Sequence, residues 1–404
     1  MVHNFNYYSP TEIVFGKDTL KEVGRCIKKY SGTKVLVVYG SKRVKEKGLL
    51  DEICAILNQE NIQYQCLGGV VPNPLLSKVR EGICLGEKMQ ADFLLAVGGG
   101  SVIDTAKAIA MGLAEKGQDI WDLYENKREA KACLPVGSIL TIAAAGSESS
   151  SASVLTNDET KEKRGYESDL CRPKFAIMNP EWMYSLPDYQ TQSGCVDIMM
   201  HTMERYFTSG GNMALTDALA EGIMRPVMKN SIILRNDPLN YDARAEIMWA
   251  GSLSHNNLTS CGNAGSDFSS HMLEHELGGM YNVTHGAGLA AIWPSWARYV
   301  YKEITPRFVQ FAVNVMGIAP NGSDEEIALK GIEAMEQFYH SIGMPTTLSE
   351  LGLHPSEEEC RLLAKKCARA CGGSHGSAKV LHEDDMYCIY QNALSQKGEK
   401  IWVA

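Results

Sequence analysis

The sequence predicts two domains, an N-terminal α/β domain built on a parallel sheet and a C-terminal domain composed only of helices. At 404 residues the chain is longer than a single hydrophobic core usually supports. Strand and helix signals alternate in its first half, and strand-like runs stop at about Pro187. Such alternation is typical of a parallel sheet with helices on both faces. We therefore expect domains at residues 1–186 and 187–404.

Short apolar runs mark the strands of the first domain. The runs that we interpret as strands span residues 34–39, 93–97 and 136–142, and residues 63–67 form a weaker strand signal. A charged stretch at residues 44–58 predicts the helix after the first strand, and another helical stretch reaches Met89. The third strand continues into a glycine-rich turn and then into an apolar helix, as a β-α-β order requires.

Composition and charge argue against several classes of partner. The net charge of −9 does not suit a nucleic acid or an anionic membrane surface. No apolar run approaches the roughly 18–20 residues of a spanning helix, and the first ten residues do not resemble a signal peptide. The twelve cysteines are scattered, which favours reduced thiols over disulfides or a zinc cluster. We expect a cytoplasmic protein that acts on a small molecule.

The glycine-rich turn after the third strand is a candidate phosphate site. Gly99, Gly100 and Ser101 separate the strand from the helix, and backbone N–H groups at such a helix N-terminus bind phosphate. The turn lacks the GxGxxG pattern, so an ordinary strand-to-helix turn is the alternative. Asp104, one turn into the helix, either interacts favourably with the helix dipole or contacts a ribose or nicotinamide amide.

Residues 194–204 predict a helix that is apolar on most sides and carries a polar pair. Asp197 and His201 are spaced i, i+4, so they share one face. A carboxylate in such a helix needs a partner. Either a divalent cation or a buried Lys or Arg would meet that need.

Three of the ten histidines lie within residues 271–285. His271 and His275 are again spaced i, i+4 on a predicted helix, and His285 follows a predicted loop. One Asp and three His provide up to four nitrogen and oxygen ligands without a thiolate, a set that suits Fe²⁺, Zn²⁺, Co²⁺ or Mn²⁺. The spacing is not the HExxH pattern of metalloproteases. The alternative is a structural histidine cluster.

These motifs resemble those of the iron-containing alcohol dehydrogenase family. The segments concerned are PTEIVFG at 10–16, GGGSVIDTAKAIA at 98–110, GCVDIMMHTMERY at 194–206 and HMLEHELG…HG at 271–286. The similarity extends over essentially the whole chain and is greatest to the NADPH-dependent butanol dehydrogenase and aldehyde reductase branch. It implies a Rossmann-like dinucleotide-binding α/β domain, an all-helical metal-binding domain and a homodimer.

The resemblance also implies which residues form the site. Asp197, His201, His271 and His285 match the metal ligands, which would hold Fe²⁺ or alternatively Zn²⁺, and His275 matches a catalytic histidine near the substrate. The positions that match cofactor contacts are Gly99, Gly100, Ser101, Asp104, Thr141, Ser147 and Lys163. The chain departs from the family at Ala145, where a threonine hydroxyl commonly touches the cofactor phosphates.

The resemblance further implies a reaction. The metal would bind the substrate oxygen as a Lewis acid while hydride passes between the alcohol carbon and the nicotinamide. Expected substrates are primary alcohols or aldehydes of short to medium length, such as butanol and butanal. The alternatives are a glycerol-dehydrogenase-like or dehydroquinate-synthase-like enzyme of the same fold, or a non-catalytic nucleotide or metal sensor.

The residues after the first strand predict a preference for NADP(H) over NAD(H). An acidic residue near this strand end binds the ribose diol of NAD, whereas a basic one accommodates the 2′-phosphate of NADP. Here Gly40 is followed by Ser41, Lys42 and Arg43, and no Asp or Glu occurs through Lys45. Arg43 is the better phosphate ligand because a guanidinium binds bidentately. The alternative is a solvated helix start.

Overall fold

A computed structural model describes residues 2–40, 42–210 and 213–394 of the chain. It contains two compact units, one from Tyr8 to Leu186 and one that begins at Pro187 and also includes the chain before Tyr8. The first residues belong to the second unit because the backbone N–H of His3 donates to the carbonyl of Gly262 at 3.1 Å. The predicted N-terminal range had included them.

The first unit is the predicted α/β domain. Its strands are β1 (Glu12–Phe15), β2 (Lys34–Tyr39), β3 (Gln63–Leu67), β4 (Phe93–Gly98), β5 (Val136–Leu140), β6 (Ala152–Asn157), β7 (Glu162–Glu167) and β8 (Phe175–Met178). Its helices are α1 (Val23–Lys29), α2 (Lys42–Glu46), α3 (Leu49–Gln59), α4 (Leu76–Met89), α5 (Gly100–Ala114) and α6 (Trp121–Tyr124).

Six strands form a parallel sheet in the order β1-β8-β5-β4-β2-β3, and β6 pairs with β7 in an antiparallel hairpin. All residues of β4 and β5 are buried, as expected for parallel strands covered on both faces. The four predicted strands correspond to β2–β5. The predicted helix at residues 44–58 is instead two helices, because Gly48 adopts a left-handed conformation with φ +77° between them.

The order of the strands creates a topological switch point. β2 and β4 are neighbours, with Tyr39 opposite Val97. From β2 the chain proceeds to β3 on one side, whereas from β4 it proceeds to β5 on the other. Open α/β sheets bind ligands at the carboxyl ends of strands at such a point. The residues there are Gly40 after β2 and Gly99 after β4.

The second unit is helical, as predicted. Its helices are α7 (Asp188–Tyr206), α8 (Ala214–Asn236), α9 (Tyr241–Ser254), α10 (Ser269–Tyr281), α11 (His285–Val300), α12 (Thr305–Asn314), α13 (Asp324–Ser341), α14 (Glu357–Ala370) and α15 (Glu383–Asn392). Every residue of α7 from Thr191 to Tyr206 is buried, so this helix forms the centre of the unit. In the described ranges, no helix combines the length and hydrophobicity that crossing a bilayer would need.

Candidate metal centre and cofactor site

Three buried helices of the second unit bring the predicted metal ligands together. Asp197 and His201 lie one turn apart on α7, His271 lies in the first turn of α10, and His285 is the first residue of α11. The side chains of Asp197, His201 and His271 are no more than 5% exposed, whereas that of His285 is 26% exposed. His285 is therefore the most exposed member of the cluster.

One carboxylate oxygen lies close to all three of these histidines. Asp197 Oδ1 is 3.5 Å from His201 Nδ1, 3.7 Å from His271 Nε2 and 3.7 Å from His285 Nε2. Four ligands placed tetrahedrally about 2.1 Å from one ion lie roughly 3.4 Å apart. The three separations from Asp197 Oδ1 are close to that value. The ligand atoms of Asp197, His201 and His271 also lie within 4.8 Å of one another, whereas His285 forms a second such group with Glu274 and His275.

The bonding of the cluster fits a cation as well. Asp197 Oδ1, His201 Nδ1 and His271 Nε2 are buried and have no hydrogen-bond partner among the described residues. Buried polar atoms without partners are rare in native proteins. No Lys or Arg of the described chain forms an ion pair with Asp197, so the alternative of a buried basic partner does not apply there. Burial lowers the pKa of His201, which favours the neutral form that binds metals.

Two glutamates that the sequence analysis did not predict support the histidines. Glu204 on α7 accepts a hydrogen bond from His271 Nδ1, and Glu274 on α10 accepts one from His285 Nδ1. Their spacing in the sequence does not reveal these partners. Glu204 follows His201 by three positions and Glu274 follows His271 by three, whereas each glutamate bonds a histidine of another helix.

Two further histidines lie beside the cluster. The ring centroid of His275 is 5.9 Å from that of His285 and 6.5 Å from that of His271. The ring of His255 contacts His201 edge-on with centroids 4.0 Å apart, and Arg205 lies 3.4 Å from His255 Nδ1. The sequence does not indicate a role for His255. This residue follows the end of α9, and it contacts His201 only because α9 and α7 pack together.

In the first unit, the glycine-rich turn packs against the segment that follows β5. Gly99 is the N-cap of α5, and a Cβ on it would lie 2.9 Å from Ile142. A Cβ on Gly100 would lie 2.8 Å from the Cβ of Ala145. Thr141 joins the same turn, because its backbone N–H donates to Gly98 at 3.0 Å. The segment after β5, which carries Ala145 where the family commonly has threonine, therefore packs against the glycine-rich turn.

Asp104 and Ser147 contact each other within this unit. Ser147 Oγ donates to Asp104 Oδ1 at 2.6 Å, and the backbone N–H of Val154 donates to Asp104 Oδ2 at 3.0 Å. Lys107, which the sequence analysis did not single out, donates to Ser147 Oγ at 2.9 Å and to the carbonyl of Ala152 at 2.7 Å. Burial lowers the pKa of Lys107. This network fixes the loop between β5 and β6 against α5.

The remaining predicted cofactor residues occupy different elements. A Cβ on Gly40 would lie 3.0 Å from the Val70 carbonyl and 3.2 Å from Val102 of α5, so the end of β2 lies close to that helix. Arg43 is half-buried on α2. Lys163 is buried on β7, and Ser101 is in the first turn of α5. Ser41 falls outside the described residues.

Family models match both units. The model described as iron-containing alcohol dehydrogenase matches residues 10–180, and the model for the C-terminal domain of the Fe-containing alcohol dehydrogenase family matches residues 191–394. The chain belongs to the iron-containing alcohol dehydrogenase family. The resemblance inferred from its motifs is confirmed.

Similar members of this family include enzymes named for different cofactors. NADH-dependent butanol dehydrogenase A of Clostridium acetobutylicum is 39% identical over 96% of this chain and 99% of its own. NADPH-dependent aldehyde reductase YqhD of Escherichia coli is 34% identical over 88% of this chain and 91% of its own. The crystal structure of NADH-dependent butanol dehydrogenase A from Thermotoga maritima has a TM-score of 0.93 at 35% identity and covers 98% of this chain and 99% of its own. This similarity confirms the predicted fold.

Proposed function

We propose that this protein is a metal-dependent alcohol dehydrogenase or aldehyde reductase that transfers hydride between a nicotinamide cofactor and primary alcohols or aldehydes of short to medium length. The observation that carries the proposal is the placement of three imidazole nitrogens 3.5–3.7 Å from Asp197 Oδ1. The glycine-rich turn at the switch point of the sheet supports a dinucleotide cofactor. The names of the butanol dehydrogenase and aldehyde reductase relatives agree with this substrate class.

In this proposal Asp197, His201, His271 and His285 hold one divalent cation, Fe²⁺ or alternatively Zn²⁺. When bound, the cation supplies Lewis-acid stabilisation of negative charge on the substrate oxygen. The chain leaves His285 the most exposed of the four groups, so the substrate would approach from the side of this histidine. A catalytic metal site needs such an open side.

His275 is proposed to act on the substrate side without binding the metal. It is buried, lies one turn from His271 and is closer to His285 than to His271. An imidazole in that place can orient the substrate or relay a proton through water or the cofactor ribose.

For the cofactor we propose NADP(H) over NAD(H), with Gly40, Ser41 and Arg43 on the adenosine side. The chain has no acidic residue from Gly40 through Lys45, where a ribose-binding carboxylate would select NAD. Arg43 forms no ion pair with any carboxylate of the described residues, so its guanidinium would be available for a 2′-phosphate. Gly99, Gly100, Ser101, Thr141, Asp104, Ser147 and Lys163 are proposed to form the rest of the cofactor site.

The test uses the full chain loaded anaerobically with Fe²⁺ or Zn²⁺. An aldehyde panel that includes butanal is assayed with NADPH and with NADH by loss of reduced-nicotinamide absorbance. We expect turnover that requires metal. Light scattering should show that the protein is a homodimer. Absence of turnover with every aldehyde and alcohol, despite bound metal and cofactor, would favour a sensor. Turnover confined to glycerol-like polyols would favour the glycerol dehydrogenase alternative.

A further inference from the structure

Glu204 and Glu274 each bond the Nδ1 atom of a proposed metal ligand. Glu204 pairs with His271 and Glu274 with His285, and both glutamates are 0% exposed. An ionised carboxylate can only accept, so Nδ1 must carry the proton in each pair. The Nε2 atoms, which are the nitrogens left to bind a cation, face Asp197 Oδ1 at 3.7 Å in both cases.

Glu204 is held rigidly by the start of α10. Its Oε1 atom accepts from the backbone N–H of Ser270 at 2.7 Å and of His271 at 3.2 Å. These N–H groups belong to the first turn of the helix, where a negative charge is favourable. No Lys or Arg of the described chain forms an ion pair with Glu204. The carboxylate is therefore compensated by a helix N-terminus and by His271.

Glu274 occupies a space that α11 leaves open. A Cβ on Gly288 would lie 2.8 Å from Glu274 Cγ, so a larger residue would displace the glutamate. The carboxylate reaches the first residue of α11, which is His285. Because Gly288 of α11 has no side chain, Glu274 fits beside this helix, where its carboxylate can orient His285.

We propose that Glu204 and Glu274 are positioning residues that fix the tautomer and direction of His271 and His285 and raise the affinity of the site for a divalent cation. The inference rests on the metal site proposed above. Together with Asp197, they place three buried carboxylates around the imidazole cluster. Burying this much negative charge is costly without a cation. A carboxylate on the far nitrogen of a histidine ligand also increases its basicity.

The test replaces each glutamate by an isosteric neutral residue. In Glu274→Gln the amide oxygen can still accept from His285 Nδ1, so this variant isolates the electrostatic contribution. Glu204 accepts through both carboxylate oxygens, so Glu204→Gln removes the charge together with one of these acceptors. Glu221→Gln is the matched control, because Glu221 is buried in the same unit and bonds Tyr206, Gln310 and Asn314 instead of a histidine. Zn²⁺ affinity is measured by chelator competition, and the visible spectrum of the Co²⁺-loaded protein reports ligand geometry.

We expect each of the two variants to bind Zn²⁺ roughly 10–100-fold more weakly than the wild type, with an altered Co²⁺ spectrum, while Glu221→Gln is unchanged. Wild-type affinity and spectrum in both variants would overturn the inference. His271→Ala separates this failure from failure of the metal site itself: if it also keeps wild-type affinity, the ligand assignment is wrong. Should Glu204→Gln not fold, Glu274→Gln provides the same test at the other histidine.

Discussion

Gly286 packs directly against the carbonyl group of Ser193. A Cβ on Gly286 would lie 1.9 Å from the Ser193 oxygen, a separation that no side chain can occupy. Ser193 precedes Asp197 by one turn of α7, and Gly286 follows His285 at the start of α11. The glycine therefore allows α11 to approach α7 closely enough for His285 to face Asp197.

Replacing this glycine should both destabilise the helical unit and disturb the metal site. We expect Gly286→Ala to lower the free energy of unfolding by about 1–3 kcal/mol, the usual cost of overpacking, and to reduce metal occupancy because His285 moves. Thermal unfolding and metal analysis measure the two effects. Gly222→Ala is the control, since a Cβ on this α8 glycine meets nothing within 4 Å, and removing a helical glycine is stabilising by roughly 0.5–1 kcal/mol. Equal stability of the two variants would contradict the prediction.

Removal of a proposed ligand should abolish metal-dependent turnover. His271→Ala leaves three ligands, so we expect bound metal to fall well below one per chain and activity to drop by orders of magnitude. The α/β unit should still fold, because all four proposed ligands lie in the helical unit. Exposed His354 provides the control substitution, His354→Ala. A His271→Ala protein with stoichiometric metal and full turnover would show that the assignment is wrong.

His275→Ala should separate catalysis from metal binding. If His275 relays a proton or orients the substrate, the variant keeps its metal but loses kcat and shows an altered pH profile of kcat/KM. Metal analysis beside steady-state kinetics across pH measures both. Metal loss equal to that of His271→Ala would instead make His275 a ligand. An unchanged rate and pH profile would leave it a packing residue.

Cofactor preference should depend on the residues after β2. The double change Ser41→Asp and Arg43→Ala adds a carboxylate that repels the 2′-phosphate and removes the guanidinium that binds it. We expect the KM for NADPH to rise strongly while that for NADH is spared. Lys45→Ala, an exposed change in the same short helix, is the control. Equal wild-type kcat/KM with both cofactors, or no selective loss for NADPH in the double variant, would refute the preference.

Local patterns were sufficient for some elements and insufficient for others. β2, β4 and β5 could be predicted because their apolar runs are buried in the sheet. β3 reads QYQCL and buries only Leu67, so its signal is weaker. β8 has only four residues, and β7 reads EKRGYE, so neither stands out from a loop. The break at Gly48 was missed because a single glycine is compatible with a continuing helix until its positive φ is seen.

By itself, the sequence determined the fold class, the family and the candidate residues for a metal site. The fold class follows from the alternation of strand and helix patterns, and the family and the candidate ligands follow from motifs that resemble those of the family, all of which are local properties of the chain. Only the tertiary structure decided how the cluster is held. Glu204 and Glu274 look in the sequence like any helical glutamates, and their roles appear only when α7, α10 and α11 pack. The physical reason is that burial and a hydrogen bond to a distant histidine depend on contacts between helices, which helical spacing alone does not specify.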